Sequence, residues 1–132
     1  MADIYILTDQ QAWAIAAAVF FMVLDIVSGL AAAIINKEVS SSKMRVGLGH
    51  KVVLLLFIAL SLGIEVFSAH VSGLGLDGVT VVAVCVFICV MEVTSILENL
   101  CKAYPYLASS KLMSIFERTI DERVGIDAGS EE

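Results

Sequence analysis

Three long runs of apolar positions organise the chain, separated by two polar stretches and followed by a mixed C-terminal part. Residues 12–35, 52–69 and 79–97 are dominated by Val, Leu, Ile, Phe and Ala. Each run contains one charged residue only: Asp25, Glu65 and Glu92 in turn. A helix crosses a bilayer core with about 20 apolar residues, range about 17–25. Each run is therefore long enough to span. The pattern predicts an all-α membrane protein with transmembrane helices at about 12–35, 52–69 and 79–99. The three spans form one domain, residues 1–102, and residues 103–132 stand apart as a more polar segment.

On a helix, residues three, four and seven apart share a face. Around Asp25 that face gathers Ala14, Ala18, Ser28, Gly29 and Ala32. Around Glu65 it gathers Ser61, Ser68 and Ser72, and around Glu92 it gathers Cys85, Cys89, Ser95 and Asn99. Small residues let membrane helices approach closely, and hydroxyls bond across the contact. A charge at the centre of a membrane helix costs at least about 2.5–3.5 kcal/mol, so the acids are expected to face protein or water rather than lipid. Two readings stay open: protonated acids hydrogen-bonded between packed helices, or acids lining an aqueous path. The assembly-face or lumen-face candidates are Asp25, Gly29, Ser61, Glu65, Ser68, Glu92, Ser95, Glu98 and Asn99. A relay would need a basic partner; none falls inside a span, and Lys51, at a membrane interface, is the nearest.

Composition agrees with a bilayer solvent: 59% of the 132 residues are hydrophobic and 17% charged, more apolar surface than a soluble fold of this size can bury. The net charge of −6 conceals a segregation that fixes an expected orientation. The first connection, residues 36–51, holds the interface cations Lys37, Lys43, Arg45 and Lys51 against Glu38 alone. The second connection has neither Lys nor Arg, and the C-terminal part has Lys102, Lys111, Arg118 and Arg123. Lys and Arg mark the cytoplasmic side, which places the first connection and the C-terminus inside and the N-terminus outside. MADIYILTDQQ has two acids and no basic residue. It does not read as a cleaved signal, so the first helix is expected to stay.

The C-terminal part predicts a cytoplasmic amphipathic helix capped by Ser109 or Ser110. Leu112, Met113, Phe116, Ile120 and Val124 fall on one side, and Lys111, Glu117, Arg118, Asp121 and Glu122 mostly on the other. Such a helix lies on the membrane or pairs with copies of itself, and the tail DAGSEE is expected to be disordered. Cys85, Cys89 and Cys101 read as packing residues, and His50 and His70 as helix-edge residues without metal-ligand spacing. Gly47-x-Gly49 and Gly73-x-Gly75 are too short for a nucleotide fingerprint. With no nucleophile–base pair and no basic platform with aromatics, the chain reads as neither an enzyme nor a nucleic-acid binder. Neither a metal nor a cofactor is expected.

Several stretches, in this order and spacing, resemble the phage lysis holins, a family that includes clostridial toxin-secretion holins and is related to the pneumococcal phage holin. They are Asp25 with Gly29 and an Ala-rich helix end; Ser42-Lys43, Gly47 and Lys51; and Glu92-x-x-Ser95-Ile96-Leu97-Glu98-Asn99 with Pro105 and Leu107. The resemblance covers about residues 20–115. The approach to Pro105, LCKAYP, is shorter than in most such holins and lacks their Gly, so the end of the third helix is expected to turn differently. The second acid is Glu65 where many relatives carry Asp.

The resemblance implies a homo-oligomer in the lipid of the bacterial cytoplasmic membrane that forms lesions, releases an endolysin or toxin and triggers host lysis. An endolysin is then the functional partner, and an antiholin a further one. The rival readings are a small oligomeric ion channel or transporter subunit and a non-pore membrane assembly subunit. No inverted repeat or Gly/Pro-broken helix pair supports transport.

Overall fold

The computed structural model describes residues 6–76 and 78–128. Four α-helices account for most of them: α1 (Asp9–Ile35), α2 (Ser41–His70), α3 (Val81–Ala103) and α4 (Lys111–Ala128). A 3-10 turn over Pro105–Ser109 lies between the last two. The first three are long and apolar enough to cross a membrane; at 1.5 Å per residue they measure about 40, 45 and 35 Å.

Hydroxyl side chains start each helix. Thr8 and Gln11 form a reciprocal capping box on α1, while Ser40 and Thr80 accept from the backbone N–H groups of Lys43 and Ala83 at the starts of α2 and α3. Of the two serines offered for α4, Ser110 takes the role, accepting from the Met113 N–H at 3.2 Å. The end of α1 is a Schellman motif: Lys37 N–H bonds Ile34 C=O and Glu38 N–H bonds Ala33 C=O. Lys37 occupies the left-handed position there, at φ 57°.

The connection predicted over residues 36–51 is mostly helix. α2 begins at Ser41, eleven residues before the apolar run, so only Asn36–Ser40 turns the chain. Lys43, Arg45 and Lys51 therefore ride on α2 rather than in a loop. The pair Gly47 and Gly49 lies inside this helix. Gly73 and Gly75, in the second connection, do have positive φ, 91° and 70°. At the other end of the chain α4 includes Asp127 and Ala128 of the expected tail; residues 129–132 and the side chain of Val124 lie outside the described part.

α1 and α3 run in the same direction and pack along most of their length, whereas α2, antiparallel to both, makes far less contact. The buried apolar core is narrow: Ala18, Met22, Ile58, Val81, Cys85 and Ile88. Large apolar side chains such as Phe20, Leu56, Phe67 and Phe87 point outward. Such a surface suits hydrocarbon, in which exposing Leu or Phe costs nothing. Trp13 stands exposed near one end of the bundle, and Tyr104 and Tyr106 near the other, the places aromatic residues favour at membrane interfaces.

Candidate functional site

α2 has just two buried residues, Ile58 and Ser61, so apolar packing alone holds it weakly. Charge supplies the rest. Asp25 lies ten residues before the end of α1, Lys51 ten after the start of α2, and Glu92 eleven before the end of α3. All three are thus about 15 Å along their helices from the same end of the bundle. There Lys51 Nζ stands 2.7 Å from Asp25 Oδ2 and also donates to Glu92 Oε2. The side chains are 12%, 14% and 3% exposed for Lys51, Asp25 and Glu92. Each spanning helix contributes one member to a shielded ion cluster.

The second carboxylate needs further donors, since one ammonium cannot neutralise two acids. Asn99 provides one: its Nδ2 donates to Asp25 Oδ1 at 3.1 Å and to Ser28 Oγ at 3.2 Å. Ser28 Oγ in turn donates to the Asp25 carbonyl at 3.0 Å. Gly29 leaves room for this approach: a Cβ there would sit 3.3 Å from Asn99 Nδ2, closer than ordinary van der Waals contact. The small-residue stripe on α1 is thus a seat for an amide from α3. A further link lies nearer the shared end, where Asn36 donates to the Lys102 carbonyl at 3.1 Å.

Glu65 belongs to a different place. It is fourteen residues beyond Lys51 on α2, about 21 Å along the helix axis. Its Oε2 accepts from the Val81 N–H at 2.8 Å, and its Oε1 accepts from Gln11 Nε2 at 3.0 Å. Val81 is the first residue of α3, so Glu65 sits against that helix's positive dipole end. The glutamate ties all three helices together at the opposite end of the bundle.

The remaining candidates are distributed between these places. Ser61 is buried and donates to the Ile58 carbonyl; Ser68 Oγ is buried without a hydrogen-bond partner among the described residues. Ser95 lines a cleft of about 690 Å³ between α1, the first turns of α2 and α3, which reaches Asp25 and Lys51 at its floor. Glu98 points outward beside Asn99, and Lys37, Lys43 and Arg45 are exposed at the end of the bundle that holds the α1–α2 turn.

The apolar pattern puts Lys51 at an interface and no basic partner within the spans; in the structure Lys51 is that partner. The signal in the sequence is Ser40 as a helix cap: with α2 beginning at Ser41, Asp25 and Lys51 are equally far from the five-residue turn between α1 and α2, and such residues meet across an antiparallel helix pair. Gln11, which binds Glu65, is not among the residues the acid stripes point to, although Thr8-x-x-Gln11 is a capping-box pattern.

Comparison with known proteins adds one match. The family model of the bacteriophage holin family matches residues 4–119. No curated protein and no solved structure matches the chain.

Proposed function

The chain belongs to the bacteriophage holin family, and from that premise we propose that it oligomerises in the bacterial cytoplasmic membrane and opens lesions through which an endolysin or a toxin leaves. The observation that carries this reading is the Asp25–Lys51–Glu92 cluster. It closes one protomer on itself, and its polar groups are the ones that neighbouring protomers or water would have to replace for a path to open.

The energetics favour exchange over simple opening. Exposing a lone ammonium or carboxylate to hydrocarbon is costly. Passing Lys51 from its own carboxylates to those of a neighbour keeps every charge paired. α2 is the helix suited to that movement, because little besides the cluster, Glu65 and Ile58 secures it. In a ring of many copies the same stripe, with Ser28, Ser95 and Asn99, faces water, where ionised groups are inexpensive. Asp25, Gly29, Glu92, Ser95 and Asn99 then form the assembly or lumen face near mid-depth, and Glu65 with Ser61 and Ser68 the face beyond it. Glu98 sits at the mouth.

The segregation of Lys and Arg supports a cytoplasmic α1–α2 turn and C-terminal segment with the N-terminus outside. Lys37, Lys43 and Arg45 would then lie at the inner interface. α4 continues from the inner end, where it contacts α3 and its Met113 is buried; lying outside the three apolar spans, it is expected to affect how protomers meet rather than insertion.

Expression of the chain in a bacterium, with and without a cytoplasmic wall hydrolase lacking its own export signal, tests this. Turbidity and membrane potential are followed together. The expected result is a lag, an abrupt loss of potential, and lysis only where the hydrolase is present. Steady growth, or slow ion leakage with the hydrolase retained, contradicts it and fits a channel or an assembly subunit.

A further inference from the structure

The cleft that ends at the ion cluster has a chemistry that the cluster does not use. Its wall is apolar, with Ile26 and Leu30 on α1 and Met44 and Leu48 on α2, and its volume is about 690 Å³. Its mouth, at the start of α2, carries Lys43 and Arg45, which form no ion pair among the described residues, with Glu38 beside them. His50 also lines the cleft, and Asp25 and Lys51, satisfied by one another, lie at the floor. From Lys43 to Lys51 is about 12 Å along the helix, close to the depth of one hydrocarbon leaflet, about 15 Å.

We propose that this cleft is a binding site for one anionic phospholipid. Its phosphate lies at the mouth, within reach of Lys43 and Arg45, which flank Met44 on α2, and one acyl chain runs down the wall of Ile26, Leu30, Met44 and Leu48. Three features select this occupant. The mostly apolar wall disfavours a water column. The two cations without an ion pair among the described residues outweigh Glu38 at headgroup level, and Lys43 stands in the first turn of α2, where the helix dipole also favours an anion. At the floor Lys51 is already paired with Asp25, so the cations without a partner are at the mouth, and a phosphate stays there. The inference requires only that the chain spans a membrane and is independent of lesion formation.

Fluorescence quenching by brominated lipids tests it. Trp13, the single tryptophan, is replaced by Phe, and Leu48→Trp places a reporter on the cleft wall. Val53→Trp, on an exposed part of α2 outside the cleft, serves as control. Each protein is reconstituted in phosphatidylcholine vesicles containing brominated phosphatidylglycerol or brominated phosphatidylethanolamine. One Lys or Arg near a membrane surface favours anionic lipid about fivefold, so two cations opposed by Glu38 should give about a fivefold preference for phosphatidylglycerol at Leu48→Trp. Lys43→Gln with Arg45→Gln should reduce that ratio below about twofold, with the Val53→Trp control quenched similarly by both lipids throughout. Equal quenching at Leu48→Trp by both lipids overturns the proposal, since the ammonium of phosphatidylethanolamine could then be meeting Glu38. A preference that survives the double substitution, or is as large at Val53→Trp, overturns it too. Absence of quenching by either lipid at Leu48→Trp, with normal quenching at Val53→Trp, means that water or a second copy of the chain fills the cleft.

Discussion

Replacing Lys51 with Met should destabilise the packed protomer by about 3–5 kcal/mol, the usual cost of removing one partner from a buried ion pair. Met approximates the volume of the lysine stem, so the loss is electrostatic rather than a packing defect. Without the ammonium, Asp25 and Glu92 are left close together in a poorly solvated place, and like charges cannot both remain ionised there at low cost. The triple variant Lys51→Met, Asp25→Asn, Glu92→Gln should recover most of the loss, because no unpaired charge remains. Among single neutralisations, Glu92→Gln should cost more than Asp25→Asn, since Glu92 is the more buried and Asn99 already assists Asp25. Unfolding equilibria of the protein in bicelles, measured by steric trapping, would read these differences. A Lys51→Met cost below about 1 kcal/mol would show that the cluster contributes little.

Glu65→Ala should cost about 2 kcal/mol by the same measurement, a typical value for losing hydrogen bonds to a charged acceptor. Two donors lose their acceptor at once: the Val81 N–H, one of the four backbone donors at the start of α3 that no intrahelical bond satisfies, and the Gln11 amide. Glu65→Gln keeps an acceptor oxygen and gives up the charge beside the helix dipole, so about half the loss is expected. Thr80→Ala, which removes the ordinary cap from the same helix, should cost about 1 kcal/mol. Faster hydrogen exchange at Val81 in Glu65→Ala, with exchange near Glu92 unchanged, would localise the effect. Equal costs for Glu65→Ala and Thr80→Ala would indicate that Glu65 is no more than a second cap.

How much of this was legible beforehand differs from residue to residue. The three spanning helices could be read directly, because hydrocarbon imposes length and apolarity on any helix that crosses it. The stripes were legible as well: Ala18, Ser28 and Ala32 are buried on the face of Asp25, and Cys85 on that of Glu92. The start of α2 was not, because Lys43, Arg45, Gly47 and Gly49 interrupt the apolar run while Ser40 still caps a continuous helix. That misplacement concealed the role of Lys51, which looks peripheral beside an 18-residue apolar run and central ten residues inside a 30-residue helix. In the sequence Glu65 looks like the other two acids, because each stands alone in its span. Only tertiary structure distinguishes a carboxylate paired with an ammonium from one held at a helix start.

The central claim, that the Asp25–Lys51–Glu92 cluster holds the protomer closed before lesions form, is tested most directly by timing lysis after charge exchange. Lys51→Glu alone puts three carboxylates together, and Lys51→Glu with Glu92→Lys restores one cation between two acids. The time from induction to lysis is measured with the leaderless hydrolase present and with equal amounts of each protein in the membrane fraction. Earlier lysis by the single variant, returned toward the time of the unaltered chain by the exchange, is the expected result. Unaltered timing in the single variant, or an exchange that restores nothing, would contradict the claim.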